Sequence, residues 1–124
     1  MCGIFGYFGE KPAFKIIFDS LKKLEYRGYD SWGIVVKKGK DYFVKKALGK
    51  LENAKLNSPP DGNIGIGHCR WATNGSVSIK NAHPHFDCSG KIAVVHNGIV
   101  ENYEELKNLL KKKGHNSEAI QTQK

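Results

Sequence analysis

Two β-prone runs separated by a short turn constrain the fold of this 124-residue chain most strongly. The runs cover residues 32–38 and 42–48, and the sequence Gly39-Lys40-Asp41 lies between them. β-Branched and aromatic runs on either side of a glycine-containing turn are typical of a β-hairpin. The sequence therefore predicts a hairpin centred on Lys40.

The spacing of apolar residues predicts the other elements. We predict strands at residues 2–8, 64–71 and 91–96, a helix from Pro12 to about Tyr26, and a weak helical turn near residues 51–56. Residues 72–90 are rich in glycine and polar side chains and are predicted to be irregular, and irregular segments of that length are often functional.

A second helix is predicted to begin after Asn102, where Glu105 completes a capping-box spacing, and to end at Gly114. Its apolar residues recur at helical spacing and are predicted to form a buried face: Tyr103, Leu106, Leu109 and Leu110. The hydrophobic content of 40% indicates a globular domain.

A net charge of +8 raises the question of nucleic-acid binding. The lysines are scattered, and only two of the 20 basic residues are arginines, Arg27 and Arg70. Because nucleic-acid readers rely on arginine forks gathered on one surface, a solvated lysine-rich surface is the better interpretation. In such a chain, each arginine suggests a site that needs a planar bidentate donor.

The chain is expected to be cytoplasmic and not to bind membranes or nucleic acid. It contains no apolar run of about 18 residues and no secretory signal. Its three cysteines, Cys2, Cys69 and Cys88, form an odd and widely spaced set without metal-binding spacing, which favours a reducing compartment.

Cys2 is the first candidate for chemistry. Removal of Met1 would give this residue a free α-amine whose ordinary pKa, about 7.7–8, suits a proton acceptor beside a thiol. Gly3 would leave room for a substrate to approach the backbone. The alternative is that Cys2 is a buried cysteine at the start of an ordinary strand.

Two further segments carry candidate binding groups. Arg70, followed by Trp71 and Thr73, could clamp a carboxylate, or Arg70 could instead pair with a surface acid. Asn97 and Gly98 could offer a side-chain amide and a backbone N–H to an oxyanion, although Asn-Gly is also a common hairpin turn.

The segment from Asn81 to His85 holds two histidines two residues apart. A rigid, hydrogen-bonded loop is a better interpretation than a metal site, because no third ligand has supporting spacing. Cys69 and Cys88 are predicted to be packing residues without a neighbouring base.

Five ordered strings resemble the class II glutamine amidotransferase domain over residues 1–115: MCGIFGYFG, LEYRGYDSWGI, GHCRWATNG, NAHPH and VVHNGIVENYEELK. They are most similar to the N-terminal glutaminase half of the glutamine–fructose-6-phosphate aminotransferases. The resemblance implies an N-terminal-nucleophile hydrolase fold, an α+β αββα sandwich with two antiparallel sheets between helix layers. We expect only the N-terminal half of that sandwich, with exposed sheet edges and no sugar isomerase domain.

The resemblance implies hydrolysis of the glutamine side-chain amide, with ammonia supplied for glucosamine-6-phosphate synthesis from fructose-6-phosphate. It implies no cofactor and no metal, and it leaves a homodimer possible. Cys2 matches the nucleophile, and Asn97 and Gly98 match the oxyanion hole. The glutamine-binding matches are Arg70, Thr73, Trp71, which would gate ammonia passage, and Arg27, which would lie near the nucleophile.

Two positions depart from the family pattern. Asn74 replaces a usual histidine, and Ile120 aligns with the aspartate that holds the substrate α-amine. Since isoleucine cannot accept a hydrogen bond from an ammonium group, we expect weakened glutamine binding and little turnover by this chain alone. The alternative function is therefore a truncated, catalytically impaired module for binding or assembly.

Overall fold

The computed structural model describes residues 1–73 and 75–117. The strands are β1 (Gly3–Phe8), β2 (Ser31–Lys38), β3 (Asp41–Leu48), β4 (Ile64–Arg70), β5 (His85–Phe86) and β6 (Ala93–Val94), and the helices are α1 (Ala13–Leu24) and α2 (Tyr103–Lys112). Short 3-10 turns occupy Glu25–Arg27, Leu51–Asn53 and Ile79–Asn81. The two sequence departures, Asn74 and Ile120, lie outside the described residues.

The main sheet has four antiparallel strands in the order β1-β4-β2-β3. The predicted hairpin is confirmed, since β2 pairs with β3 from Ser31 opposite Leu48 to Lys38 opposite Asp41. Gly39 in its turn has a φ of +60°, a conformation that glycine adopts at little cost. Among the described residues β1 and β3 form the two edges of this sheet.

Helix α1 covers one face of the main sheet. Its buried side chains are Ala13, Phe14, Ile17, Phe18 and Leu21, and they pack with the alternate β2 residues Trp32, Ile34 and Val36. Strand β4 presents glycines to this helix: a Cβ on Gly67 would lie 2.5 Å from Ile17 Cγ2 and 2.8 Å from Leu21 Cδ1. The small strand residues therefore let the large helix residues sit close to the sheet.

The opposite face of the main sheet is partly covered by the segment that leads into β5. Gly33 lies under this segment, where an added Cβ would clash with the His83 carbonyl oxygen. Strands β5 and β6 form a two-stranded antiparallel sheet, and Phe86 of β5 meets Tyr42 of β3 edge to face at 5.5 Å. The layers are thus helix, sheet and a second smaller sheet.

The prediction for the second helix is wrong about burial. Helix α2 begins after Asn102 and is followed by Gly114 at a φ of +87°, as predicted, but none of its residues is buried. Leu106, Leu109 and Leu110 are 40%, 47% and 45% exposed. Amphipathic spacing shows which face of a helix is apolar, whereas burial also requires a covering element, and none of the described residues supplies one.

The predictions for the cap of α2 and for the last strand are also corrected by the structure. The Asn102 side chain makes no capping hydrogen bond, so the expected capping box is not formed. The strand expected at residues 91–96 is reduced to Ala93–Val94, because the chain leaves the short second sheet there to reach Asn97. No helix in the described ranges is long and apolar enough to cross a membrane.

Candidate functional site

Cys2 lies immediately before β1, against the end of β4. Its Sγ accepts a hydrogen bond from the Trp71 backbone N–H at 3.3 Å and lies 3.7 Å from the Trp71 carbonyl oxygen. The sheet register explains the position, because Gly3 pairs with Cys69 and the two chain segments therefore meet beside Trp71. Cys2 is partly accessible from solvent.

Two side chains converge on the backbone carbonyl of Cys2. Arg27 Nε donates to this oxygen at 3.2 Å, and Asn97 Nδ2 donates to it at 3.0 Å. The two donors come from the 3-10 turn after α1 and from the segment after β6, far apart in sequence. Because both lone pairs of the carbonyl are engaged, the Cys2 peptide is held in a fixed orientation.

The other end of the Asn97 amide contacts a buried histidine. His68 Nε2 lies 2.8 Å from Asn97 Oδ1, and the His68 side chain is 1% exposed. The His68 ring stacks on His83 with 4.2 Å between ring centroids, and His83 Nδ1 accepts a hydrogen bond from the His96 backbone N–H at 3.3 Å. A continuous set of contacts therefore runs from His83 through His68 and Asn97 to Cys2.

Burial keeps the histidines of this cluster neutral. It lowers the pKa of His68 to about 4, although the Asn97 side chain and the His96 backbone favour the protonated ring. Burial, with repulsion from neighbouring cationic groups, lowers the pKa of His83 to about 2 and that of His85 to about 4. All three imidazoles are neutral at pH 7 and act as fixed dipoles, not as charges.

The loop after β4 is anchored beside Cys2 by Asp30. The Asp30 carboxylate accepts from the Ala72 N–H at 2.8 Å, and the Asp30 N–H donates to the Arg70 carbonyl at 3.0 Å. Gly28 packs directly on this backbone, since a Cβ there would lie 2.6 Å from the Trp71 nitrogen. These contacts fix the backbone groups that face the Cys2 sulfur.

The predicted binding residues are divided between two environments. Trp71 is 41% exposed and stacks edge to face on Tyr29 at 5.4 Å, at the open side of the site. Thr73 is exposed, and its N–H donates to the Trp71 carbonyl at 3.0 Å. Arg70 is only 5% exposed, and its Nη1 donates to the Ser76 carbonyl at 3.1 Å, so it also orders the loop that follows β4.

The segment from Asn81 to His85 is hydrogen-bonded, as predicted, and it joins the 3-10 turn at Ile79–Asn81 to β5. Asn81 is 6% exposed and donates to the Ser76 carbonyl at 3.1 Å, so it fastens the same loop as Arg70. Ala82, His83 and Pro84 that follow are buried, and the His83–Pro84 peptide bond is cis. Within the described part of the chain, no group of three or more potential metal ligands is gathered.

The two remaining cysteines differ from each other. Cys69 is fully buried, as predicted, and burial raises the pKa of its thiol. The prediction for Cys88 is wrong: the side chain is exposed, and its Sγ lies 3.1 Å from Nδ1 of His115, beyond the end of α2. The contact joins residues 27 positions apart, which spacing arguments along the sequence do not detect.

Sequence reasoning missed His68 and Asp30. His68 precedes Cys69 in a strand that reads as small and apolar, and it has no partner nearby in sequence, since Asn97 is 29 residues away. Asp30 follows a glycine-broken polar segment typical of a loop. The alternation along β4 places His68 and Arg70 on the face opposite α1, and this period-2 pattern was the available signal.

Comparison with known proteins identifies relatives along nearly the whole chain. Glutamine–fructose-6-phosphate aminotransferase (isomerizing) from Pyrococcus horikoshii is 56% identical over 118 residues, which are 93% of this chain and 20% of that protein. Enzymes of the same name from Methanococcus maripaludis and Thermococcus kodakarensis are 55% and 52% identical, again over 93% of this chain and 20% of theirs. The chain is homologous to one part of these aminotransferases.

The predicted resemblance is thereby confirmed, and the matched region is about one fifth of the length of the curated relatives. No protein-family model matches the chain.

Solved structures confirm the fold class. A structure described as the allosteric regulatory enzyme of purine biosynthesis superposes with a TM-score of 0.80 at 30% identity, covering 94% of this chain and 26% of that one. Glutamine phosphoribosylpyrophosphate amidotransferase from B. subtilis gives a TM-score of 0.78 at 28% identity, with the same coverage. The chain therefore has the N-terminal-nucleophile amidotransferase fold over the residues that match.

Proposed function

We propose that Cys2 is the nucleophile of a glutamine amide hydrolase site. The observation that carries this proposal is the setting of Cys2, whose sulfur faces the Trp71 backbone while Arg27 and Asn97 hold its carbonyl oxygen. Cys2 is partly accessible, so a substrate carbonyl can approach it. The homology to glutamine-dependent aminotransferases supports glutamine as the substrate.

The proposed reaction begins after removal of Met1. The Cys2 thiol gives its proton to its own α-amine, and the sulfur attacks the side-chain carbonyl carbon of glutamine. The tetrahedral intermediate collapses, the C–N bond breaks, and the amine returns a proton to the leaving nitrogen as ammonia departs. Water then hydrolyses the γ-glutamyl thioester and releases glutamate.

Asn97 and Gly98 are proposed to form the oxyanion hole. The Asn97 NH₂ group carries two hydrogens, and the structure uses one of them on the Cys2 carbonyl, which leaves a second donor beside the nucleophile. Gly98 has a φ of +146°, a backbone conformation that side-chain-bearing residues rarely adopt, and its backbone N–H would be the second donor. Donors held in this way stabilise charge on the intermediate.

The remaining contacts to glutamine are proposed to come from the loop after β4. Arg70 would neutralise the substrate α-carboxylate through its guanidinium, and Thr73 would complete that cradle. Trp71, exposed beside Tyr29, would cover the reacting amide and control the escape of ammonia. Arg27 would hold the nucleophile in place through its contact with the Cys2 carbonyl.

At the level of a whole aminotransferase, we propose that this site supplies ammonia for glucosamine-6-phosphate synthesis from fructose-6-phosphate. The implied partner is a sugar isomerase domain, and a homodimer and a cytoplasmic location belong to the same proposal. The names of the relatives support the sugar-phosphate product, and the three free cysteines support the reducing location.

The test is selective labelling of Cys2 by a diazoketone analogue of glutamine, followed by peptide mass spectrometry. The chain is used with Met1 removed, and Cys88 serves as an internal control because it is exposed and free. We expect labelling at Cys2, protection by excess glutamine and no effect of a Cys88→Ser substitution. Equal labelling of Cys88, or no protection by glutamine, would overturn the proposal and favour the binding or assembly module.

A further inference from the structure

The side-chain amide of Asn97 works in the proposed site in only one of its two orientations. A donor faces Cys2 when Nδ2 points to the Cys2 carbonyl and Oδ1 points to His68, as in this structure. The opposite orientation would set Oδ1 against the Cys2 carbonyl oxygen and would leave no donor for an oxyanion. Something must therefore select between two orientations of nearly identical shape.

We infer that His68 is a positioning residue that fixes the Asn97 amide with its NH₂ group toward Cys2. The inference rests on the proposed role of Asn97 as an oxyanion donor. The 2.8 Å contact from His68 Nε2 to Asn97 Oδ1 supplies the selection, because an imidazole N–H can donate to the amide oxygen and not to the amide nitrogen.

The surroundings of His68 determine which ring nitrogen carries the proton. Nδ1 is buried and forms no hydrogen bond of good geometry among the described residues, although the His96 backbone lies near the ring. A neutral ring with its proton on Nδ1 would bury an unpaired N–H, whereas a proton on Nε2 is paired with Asn97 Oδ1. The tautomer with Nε2–H is therefore favoured, and burial, which lowers the pKa of this ring to about 4, keeps it neutral.

The ring is also held rigidly enough to direct its partner. His68 lies on β4 in the middle of the main sheet, paired with Gly33 of β2, and its ring stacks on the His83 ring. His83 is in turn tied to the backbone of His96, the residue that precedes Asn97. The buried His68 ring is thus linked through His83 to the backbone next to Asn97. Asn97 itself is exposed, so its contact with His68 is what fixes the amide orientation.

The test compares two reactions of Cys2 in the chain with Met1 removed and Cys88 replaced by serine. Acylation by γ-glutamyl p-nitroanilide passes through an oxyanion and releases a coloured amine, whereas alkylation by iodoacetamide forms no oxyanion. We expect His68→Leu to slow acylation about 100-fold, as for loss of an oxyanion donor, and to leave alkylation of Cys2 unchanged. His68→Gln, which keeps an N–H donor, should recover most of the acylation rate.

A double variant separates positioning from general damage. Once Asn97→Ala has removed the amide, His68→Leu should cause no further loss of acylation. Equal slowing of both reactions, an additive loss in the double variant, or an unchanged acylation rate in His68→Leu would each overturn the inference. Alkylation of Cys69, which is buried in the folded chain, would show that His68→Leu does not fold. In that case His68→Gln decides: an acylation rate as low as that of Asn97→Ala would overturn the inference about His68. Absence of acylation in the parent chain would instead contradict the proposed function.

Discussion

Three buried imidazoles beside the candidate site make the protein sensitive to acid at the residue scale. His68, His83 and His85 have folded-state pKa values of about 4, 2 and 4, against an ordinary value of about 6.5. At pH values between the folded-state pKa values and 6.5, the unfolded chain therefore binds more protons than the folded chain. The free energy of unfolding consequently rises with pH across this window.

We predict that the free energy of unfolding falls as the pH is lowered from 7 to 5. Urea unfolding followed by the fluorescence of buried Trp32 measures this change. His85→Phe should reduce the slope by about one proton, because one imidazole no longer titrates on unfolding. A wild-type stability that is flat between pH 7 and pH 5 would show that these rings are not held neutral.

Residue types, their order and the family resemblance were enough to select Cys2 and most of the residues that contact it, but not His68. Cys2, Arg27 and Asn97 were selected from the sequence, and the structure brings them together at one carbonyl oxygen. His68 was not selected, because its role depends on a contact with Asn97 that only the folded sheet creates. Arg70 was selected as a carboxylate clamp, and its near-complete burial could not be foreseen from spacing alone.

At the scale of elements, the two helices have similar apolar spacing and opposite environments. Leu21 of α1 is fully buried against the main sheet, whereas Leu109 of α2 is 47% exposed. The glycines of β4 explain the difference for α1, since they allow the helix to approach the strand closely. Helix α2 has no such surface beneath it within the described residues.

This difference predicts unequal costs for the same substitution. Leu21→Ala should reduce the free energy of unfolding by about 2–5 kcal/mol, because it removes buried methyl groups and leaves a cavity. Leu109→Ala, the matched control, should cost less than about 1 kcal/mol, since exposed positions contribute little. Chemical unfolding of both variants measures the costs, and similar values would mean that α2 is packed as closely as α1.

At the scale of the whole molecule, the elements of the helix layer and the main sheet were predicted from the sequence better than the strands of the second sheet. The hairpin, α1 and strand β4 have strong periodic signals and were located within a few residues. The second sheet was harder to predict, because β5 and β6 contain two residues each and β5 depends on the contact of Phe86 with Tyr42 of β3. The αββα fold class came from the resemblance, which the structural comparisons confirm.

Cys2 is proposed to form a covalent intermediate with glutamine, and trapping that intermediate tests this role most directly. The chain with Met1 removed is mixed with isotopically labelled glutamine, quenched in acid and mapped by peptide mass spectrometry. We predict a γ-glutamyl label on the Cys2 peptide that hydroxylamine removes and that a Cys2→Ala variant lacks. A label that persists in the variant, or no label at Cys2 at saturating glutamine, would contradict the account.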